Sequence, residues 1–360
     1  MNPDYSKVHN RFKINNVSTD RDHLKEVAYS LVKEGDPFEK EIGDFLLDWL
    51  DHKDHVVVQT SGSTGRAKRI KLSKQSMVNS AIETGNYFGL GPGDAALMCL
   101  PARFIAGKMM LVRAIMLGLE LDTIQPASTI VIAPRKKYKF CAMLPMQLQQ
   151  SLKYINQFHT IIVGGAPVHS QLINAIQDSR TSIYETYGMT ETITHIAVKK
   201  LNKFKSDEDK ATSLFNALPN VQLSQDKHGC LMINAEHLFK GTVKTKDIVK
   251  LHSETQFEWL GRFDNIINSG GHKLNPERIE EKIASTVSSP FIVSSESDKT
   301  LGEKLILIVE GSENKIALSK IKGLSAFEKP KQVYHLPKFI RTATGKIHRK
   351  DTLKLLKTNR

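Results

Sequence analysis

From residue 55 onwards, short apolar runs alternate with helix-like stretches, and this alternation limits the fold more than any other feature of the chain. The runs that we interpret as buried strands are 55–59, 95–100, 129–133 and 160–163. The stretches typical of helices are 74–87, which Ser73 can cap, 104–119 and 169–177. This alternation predicts an α/β sheet with its ligand at the carboxyl ends of the strands.

The segments before residue 55 and after residue 198 have a different pattern of polar and apolar residues. Residues 1–54 are polar and partly helical, with an apolar stripe over 45–50. The charged stretch 199–210 reads as a solvated loop, and shorter strands follow at 229–234 and 257–260. From residue 265 we expect a compact α+β segment: a Gly270–Gly271 turn, a helix from Pro276 and a strand over 305–310.

The net charge and composition limit the classes of molecule that the chain is expected to bind. The 360 residues carry a net charge of +13, which suits either a nucleic-acid backbone or small anionic substrates. The basic residues are spread along the chain without an Arg-rich arm or a zinc finger, so we favour small anions. Three cysteines without metal-ligand spacing fit a reduced, cytoplasmic setting. The absence of an apolar signal segment, and the charges of Lys108 and Arg113 within 104–119, predict no membrane association.

The loop after the first apolar run is rich in groups that bind phosphate. Its nine residues are Thr60, Ser61, Gly62, Ser63, Thr64, Gly65, Arg66, Ala67 and Lys68. Glycines let the backbone approach a polyphosphate, hydroxyl and N–H groups bind its oxygens, and the lysine adds charge. It is not a Walker loop, which runs into a helix, because residues 69–72 look extended. Taken alone, it is also compatible with a solvent-exposed turn.

Later clusters carry similar chemistry. Glu191 and neighbouring hydroxyls follow an extended segment, where one carboxylate could hold Mg²⁺ on a phosphate. Asp247 could accept ribose hydroxyls, and Lys346 could reach a phosphate from a basic loop. Read separately, the Glu191 cluster is equally compatible with a polar turn, whereas Asp247 alone is better explained as a surface acid and Lys346 as part of a solvated basic tail. Segment 261–280 is more specific, because it joins an Arg–Asp pair, a Gly–Gly turn and a helix that begins with proline.

In this order, the clusters resemble the adenylate-forming superfamily of acyl-CoA synthetases, peptide-synthetase adenylation domains and luciferases, over residues 55–360. The resemblance implies a large N-terminal α/β adenylation domain, 1–263, and a small, mobile α+β C-terminal domain, 264–360, that carries the catalytic lysine. It further implies an ATP-dependent carboxylate–CoA ligase that uses Mg²⁺, passes through an acyl-AMP and releases AMP and pyrophosphate.

The resemblance also implies a role for each matching residue. Lys346 would bind the reacting carboxylate and phosphate, Thr190 would contact phosphate and Glu191 would hold Mg²⁺. Asp264 matches the hinge, and Gly270 and Gly271 match the path of CoA. The residues implied in ATP binding are Thr60, Ser61, Gly62, Ser63, Thr64, Gly65, Lys68, Gly164, Gly165, Ala166, Tyr187, Gly188, Asp247 and Arg262.

Within the superfamily, the chain is most similar to the o-succinylbenzoate–CoA ligases of menaquinone biosynthesis. Residues 144–148, 107–118 and 188–195 carry that similarity. The alternatives are a ligase for another aryl or acyl acid, an enzyme that loads a carrier protein, a degenerate member that binds nucleotide without catalysis, and a basic nucleic-acid-binding protein.

The expected acyl pocket includes Phe104, Lys108 and His195. A second substrate carboxylate needs a cation or donors, and Lys108, Arg113 and His195 are the candidates; His195 is equally compatible with a structural role.

The chain departs from the superfamily pattern at four places. Ala67 replaces a usual proline, Phe104 replaces a frequent histidine, and Lys246 replaces the usual glycine before Asp247. The region before the phosphate loop is also far shorter than in typical members, which predicts a more open acyl pocket.

Overall fold

The structure is a computed structural model that describes residues 3–59, 68–284, 286–287, 289–311, 323–342 and 345–358. These residues form two compact units. The first comprises the described residues of Met1–Val168, Ile176–Gln222 and Asn234–Val243, and the second those of His169–Ala175, Leu223–Ile233 and Lys244–Arg360. The predicted domain boundary at residue 264 stays a prediction.

Short strands and helices alternate along most of the chain. The strands are β1 Lys13–Ile14, β2 Val17–Ser18, β3 His55–Gln59, β4 Arg69–Ser73, β5 Ala95–Met98, β6 Glu120–Thr123, β7 Tyr138–Met143, β8 Phe158–Val163, β9 Ser182–Gly188, β10 His195–Lys200, β11 Phe215–Ala217, β12 Gln222–Gln225, β13 Cys230–Asn234, β14 Thr242–Ser253, β15 Gln256–Arg262, β16 Ile267–Ser269, β17 His272–Leu274, β18 Phe291–Asp298, β19 Gly302–Glu310 and β20 Gln332–Leu336. The helices are α1 Arg21–Glu34, α2 Pro37–Leu50, α3 Lys74–Phe88, α4 Ile105–Leu117, α5 Pro145–Gln150, α6 Ser170–Ala175, α7 Asp207–Ala211, α8 Pro276–Ile283 and α9 Arg349–Thr358.

The first unit is built on a largely parallel sheet. β9, β8, β7, β5, β6 and β1 lie side by side in that order, each parallel to its neighbour. β10 and β11 continue the sheet antiparallel beyond β9, and β2 pairs antiparallel with β1. The central strands are apolar along their length, as expected for parallel strands covered on both faces. The predicted α/β fold is therefore confirmed.

The phosphate-loop segment joins two antiparallel strands. β3 and β4 pair from His55 opposite Ser73 to Gln59 opposite Arg69. Ser73 then accepts a hydrogen bond from the Ser76 N–H, at 3.4 Å, and caps α3. The extended segment after Lys68 and the helix cap are thus as predicted. Residues 60–67 of the loop lie outside the described residues.

Two predicted elements are wrong. Residues 129–133 form no strand, although Ile130 and Ile132 are buried. The Ile130 N–H donates to the side chain of Ser151 and not to a strand, and β7 is the strand that pairs with β5. The stretch 199–210 is not a single loop. β10 extends to Lys200 because it pairs with β9, and the side chain of Ser206 caps α7.

The N-terminal region is more ordered than its composition suggests. The predicted apolar stripe is confirmed in α2, where Phe45, Leu46, Trp49 and Leu50 are buried. β1, which the apolar pattern did not reveal, lies beside β6 and protects that edge of the sheet.

A buried ion pair ties α3 to the end of α2. The Lys74 side chain is fully buried, and its Nζ lies 2.8 Å from Asp51 Oδ1. Asp51 also lies 3.0 Å from the more exposed Lys53, and its hydrogen bonds to both lysines hold its pKa well below the usual range, although its partial burial opposes this. The Asp51 carboxylate therefore stays charged at neutral pH.

We expect Asp51→Asn to lower the free energy of unfolding by about 2–3 kcal/mol, because the Lys74 ammonium is then buried without a counter-charge. Wild-type stability should also fall as the pH drops below about 4, since there the unfolded chain protonates this carboxyl before the folded chain does. Urea unfolding at pH 7 measures the effect of the substitution, and repeating it with the wild type at pH 3.5 measures the effect of pH. Asp178→Asn, at an exposed acid, is the control. Equal stability of the two variants would contradict a contribution from this pair.

The second unit contains the ribbon β12–β13–β14–β15 and the sheet β17–β16–β19–β18, with β20 parallel to β19. Side chains alternate between the two faces of β18 and β19. Val293, Leu305 and Leu307 pack with Ile279 and Ile283 of α8, whereas Ile292, Ile306 and Ile308 pack with Leu356 of α9. The α+β segment predicted from residue 265 is confirmed.

Candidate active site

The predicted nucleotide residues of the first unit gather at the ends of two neighbouring parallel strands. Gly164, Gly165 and Ala166 follow β8, and Tyr187 and Gly188 end β9. The strands are joined at this edge, where Thr186 Oγ1 donates to the Val163 carbonyl at 3.1 Å. The carboxyl ends of parallel strands are where ligands bind in α/β sheets, so the structure brings these residues together as the pattern indicated.

Glycine is required at two points of this edge. A Cβ on Gly188 would lie 2.3 Å from the Thr194 carbonyl oxygen, so only glycine lets the chain fold back this closely. Gly165 has φ +89°, and a Cβ there would lie 2.8 Å from Leu144 Cδ2. Leu144 begins the 144–148 segment, which therefore packs directly against the glycine turn.

A strained turn connects β9 to β10. Ile193 has φ +65° and ψ −64°, and the Thr194 N–H donates to the Thr192 carbonyl at 2.8 Å, which is the geometry of a γ-turn. A β-branched residue is strained at this φ. The buried Thr192 hydroxyl fixes the turn through the Met189 N–H and the Thr194 carbonyl. Strain of this kind is concentrated at functional sites, and this turn follows directly after Thr190 and Glu191.

Glu191 is the carboxylate of this turn. Its side chain is exposed, and it has no hydrogen bond or ion pair to any other residue in the described part of the chain. Within the described ranges, no three His, Cys, Asp or Glu side chains converge on a point suited to a metal. One carboxylate nevertheless fits Mg²⁺, which is commonly held by one or two carboxylates together with substrate phosphates and water.

Arg113 is buried inside the first unit, and no acidic side chain of the described residues pairs with it. Its side chain is fully buried, Nη1 lies 3.9 Å from Met110 Sδ, and Nε and Nη2 have no hydrogen-bond partner among the described residues. Burial lowers its pKa to about 9, so it stays protonated at neutral pH. An unpaired buried cation is costly, so this position is suited to an anionic ligand.

His195 lies within electrostatic reach of Arg113. It is buried, and its Nε2 has no partner among the described residues. Burial, reinforced by the Arg113 charge, lowers its pKa well below the usual range, so the ring is neutral. A neutral imidazole and a guanidinium together offer hydrogen-bond donors to an acid without adding a second charge.

The other acyl-pocket candidates lie at the start of α4. Phe104 is half-buried and precedes the helix. Lys108 faces α2, where its ammonium lies 4.7 Å from the centre of the Phe45 ring. Burial lowers the pKa of Lys108, and Asp48, Glu41 and Asp44 oppose this by favouring its charge. Lys108 therefore lies near the acidic residues of α2, whereas burial alone accounts for the lowered pKa of Arg113.

In the second unit, the predicted ribose residues form a charged network on β14 and β15. Asp247 is buried opposite Arg262, with Oδ1 3.5 Å from Arg262 Nη1 and 3.3 Å from the Trp259 indole nitrogen. Arg262 also lies 3.6 Å from Asp264, and Lys246 lies 2.9 Å from Asp264. Lys246, which replaces the usual glycine, therefore pairs with the predicted hinge residue; the unusual cation was the signal that could have revealed this contact.

The other predicted site residues of the second unit, Gly270, Gly271 and Lys346, lie in two tight turns. Gly270 and Gly271, with φ +55° and +80°, join β16 to β17 as predicted. Lys346 follows Gly345, φ +81°, in a turn closed by the Thr342 N–H donating to the Lys346 carbonyl at 2.8 Å. The Lys346 side chain is exposed; partial loss of hydration lowers its pKa, whereas Asp247 favours the charged form.

With this geometry established, comparison with known proteins identifies the family. The family described as AMP-binding enzyme matches residues 10–228, which is more than half of the chain. The chain belongs to the AMP-binding enzyme family. An acyl-CoA synthetase (AMP-forming)/AMP-acid ligase II-like protein of known structure from Dyadobacter fermentans is 34% identical, with 92% of this chain and 98% of that chain covered and a TM-score of 0.60.

Two further AMP-binding enzymes illustrate the range of relatives. The 2-succinylbenzoate–CoA ligase of Lactococcus lactis is 24% identical over 84% of this chain and 72% of its own length. The o-succinylbenzoate CoA synthetase of Bacillus subtilis, solved with ATP and magnesium, has a TM-score of 0.71 at 19% identity over 92% of this chain and 82% of that one, which shows a shared fold.

Membership in the AMP-binding family confirms several expectations. The family resemblance, the α/β fold and the assignment as an acid–CoA ligase are confirmed. The expected ATP, Mg²⁺ and CoA are also supported. One relative was solved with ATP and magnesium, and another is named as a CoA ligase. Among the described residues, no helix has both the length and the apolar character needed to cross a membrane. The role of each site residue stays a prediction.

Proposed function

We propose that this AMP-binding enzyme joins o-succinylbenzoate to CoA at the expense of ATP, forming o-succinylbenzoyl-CoA as in menaquinone biosynthesis. The observation that supports this substrate is the guanidinium of Arg113, which has no ion-pair partner among the described residues and lies near the neutral His195. A monocarboxylic acid has only the carboxylate that reacts. A second carboxylate gives the buried cation a counter-charge, and the names of curated relatives include 2-succinylbenzoate–CoA ligase.

In the first step, a carboxylate oxygen of the acid attacks the α-phosphorus of ATP, and pyrophosphate leaves. Both reactants are anionic, so the protein mainly has to align them and neutralise charge. We assign the β- and γ-phosphates to the 60–68 loop with Lys68, the phosphate contact to Thr190, and the reacting carboxylate to Lys346. Adenine lies on Tyr187 beside Gly164–Ala166, and the ribose hydroxyls bind Asp247 with Arg262.

In the second step, the thiol sulfur of CoA attacks the acyl carbon of the acyl-AMP, and AMP leaves. The S–C bond forms as the C–O bond to AMP breaks, and the thiol proton passes to solvent. The thiol attacks an acyl carbon and not an anionic phosphate, so this step does not need Lys346 to bring two anions together. Gly270 and Gly271 line the pantetheine path in this proposal, and Asp264 is the hinge that separates the two steps. Mg²⁺ held by Glu191 would neutralise phosphate charge in the first step.

The proposed function is tested by product analysis. The purified protein is incubated with ATP, Mg²⁺, CoA and a panel of carboxylic acids that includes o-succinylbenzoate, and products are identified by mass spectrometry. A dominant o-succinylbenzoyl-CoA peak supports the proposal. Another acyl-CoA would retain the ligase and change the substrate, whereas an acyl-AMP alone would indicate a different acceptor, such as a carrier protein.

The ribose assignment predicts a selective effect on nucleotide binding. Asp247→Asn should raise the KM for ATP about tenfold and leave the KM for the acid within twofold, because a carboxylate accepts hydroxyl hydrogen bonds more strongly than an amide oxygen does. Pyrophosphate-release kinetics with each substrate varied in turn measure both constants. Glu281→Gln, an exposed acid on α8, is the control. Equal increases in both KM values would contradict a role confined to ATP.

A further inference from the structure

Helix α4 begins without a side-chain cap of its own. Its N-cap residue, Phe104, has no group that can accept a hydrogen bond, and the first turn of the helix has no acidic residue. Helix N-termini are stabilised by an acceptor and by negative charge. Since α4 carries both Phe104 and Arg113, whatever holds this end also fixes the position of the proposed acyl site.

Glu41 of α2 instead binds Arg103, the residue just before the N-cap of α4. Its Oε2 accepts a hydrogen bond from the Arg103 N–H at 3.2 Å, and its Oε1 lies 2.6 Å from Arg103 Nη1. The guanidinium of Arg103 in turn lies 5.0 Å from the centre of the Phe104 ring. One carboxylate from a distant part of the chain therefore holds the backbone and the side chain that immediately precede α4.

A second contact joins the same two helices. One turn into α4, the Lys108 ammonium lies 4.7 Å from the centre of the Phe45 ring, which is buried on α2. Two contacts about one helical turn apart therefore tie the start of α4 to α2. Arg113 lies five residues further on, so a small displacement at the start of the helix is transmitted to its guanidinium.

We propose that Glu41 is a positioning residue for the acid substrate: through Arg103 it holds α4 so that Phe104 and Arg113 meet the acid in the correct geometry. The inference rests on the proposed function, because it takes Arg113 as the group that binds the second carboxylate. It assigns a role in substrate selection to α2, within the region that precedes the phosphate loop.

Glu41→Ala tests the proposal with two readouts. Hydrogen exchange monitored by mass spectrometry should become at least threefold faster over 103–108 and stay unchanged over α3. The KM for the acid should rise about fivefold, while kcat and the KM for ATP stay within twofold. Glu41→Gln, which keeps an acceptor for the N–H but loses the charge, should lie between Glu41→Ala and the wild type.

The control is Glu26→Gln, at an exposed acid on α1. Exposed ion pairs contribute little stability, so the unfolding midpoint of Glu41→Ala should match that of the control. Unchanged exchange over 103–108 would overturn the proposal, and so would faster exchange with an unchanged KM for the acid. If the wild type uses no acid in the panel, the proposed function has failed, and the hydrogen-exchange result alone decides whether Glu41 holds α4.

Discussion

Replacing Lys346 with alanine should reduce the rate of acyl-AMP formation by about 10²–10³, equivalent to about 2.7–4 kcal/mol, because the variant cannot neutralise charge between the carboxylate and the α-phosphate. Thioester formation from supplied acyl-AMP should change by less than threefold, since the attack of the thiol on an acyl-AMP does not need that cation. The exposed side chain lies in a turn held by backbone hydrogen bonds, so folding should be unaffected.

The two half-reactions are measured separately, by pyrophosphate release without CoA and by thioester formation from chemically prepared acyl-AMP. Lys350→Ala removes a nearby exposed lysine and should leave both rates unchanged. An equal loss in both half-reactions would refute the assignment of Lys346 to adenylation.

Arg113→Met should lower kcat/KM for o-succinylbenzoate by about 10²–10³ and raise the free energy of unfolding by about 1–3 kcal/mol. The loss of activity follows from removing a charge-assisted contact to the second carboxylate, which would then be buried without a partner. The gain in stability follows because methionine fills much of the same volume without burying an unpaired charge.

Two comparisons make this prediction specific. With 4-oxo-4-phenylbutanoate, which lacks the ring carboxylate, the variant should match or exceed the wild type. Arg349→Met should change stability in the opposite direction, because Arg349 pairs with the mostly buried Glu280, whose carboxylate would lose its counter-charge. A loss of stability in Arg113→Met, or equal losses with both acids, would show that Arg113 is structural.

Several elements of both units could be predicted from local pattern. The strand over 55–59, the cap at Ser73 and the Gly270–Gly271 turn depend on neighbouring residues, so the sequence was sufficient to place them. The strand predicted at 129–133 was wrong because alternating burial also suits a loop whose Ile130 and Ile132 reach the core. Apolar alternation reports which side chains are buried, but it does not report which backbone groups pair.

The sequence alone could not distinguish the roles of Lys108 and Arg113. Both interrupt one apolar helix, and by sequence both were candidates for the second carboxylate. In the structure, Lys108 faces Phe45 and the acids of α2, whereas Arg113 is buried near His195 with two nitrogens that have no partner among the described residues. Five residues along a helix correspond to a rotation of about 140°, so the two cations meet different surroundings.

By itself, the sequence determined the order of the adenylation motifs, the turns that need glycine, and the apolar runs that build the sheet, because each depends on residues close together in the chain. Only the tertiary structure decided which charges are neutralised. Desolvation and pairing depend on residues far apart in sequence. Glu41 pairs with Arg103 and Lys246 with Asp264, whereas Arg113 is buried with no counter-charge among the residues that the structure describes.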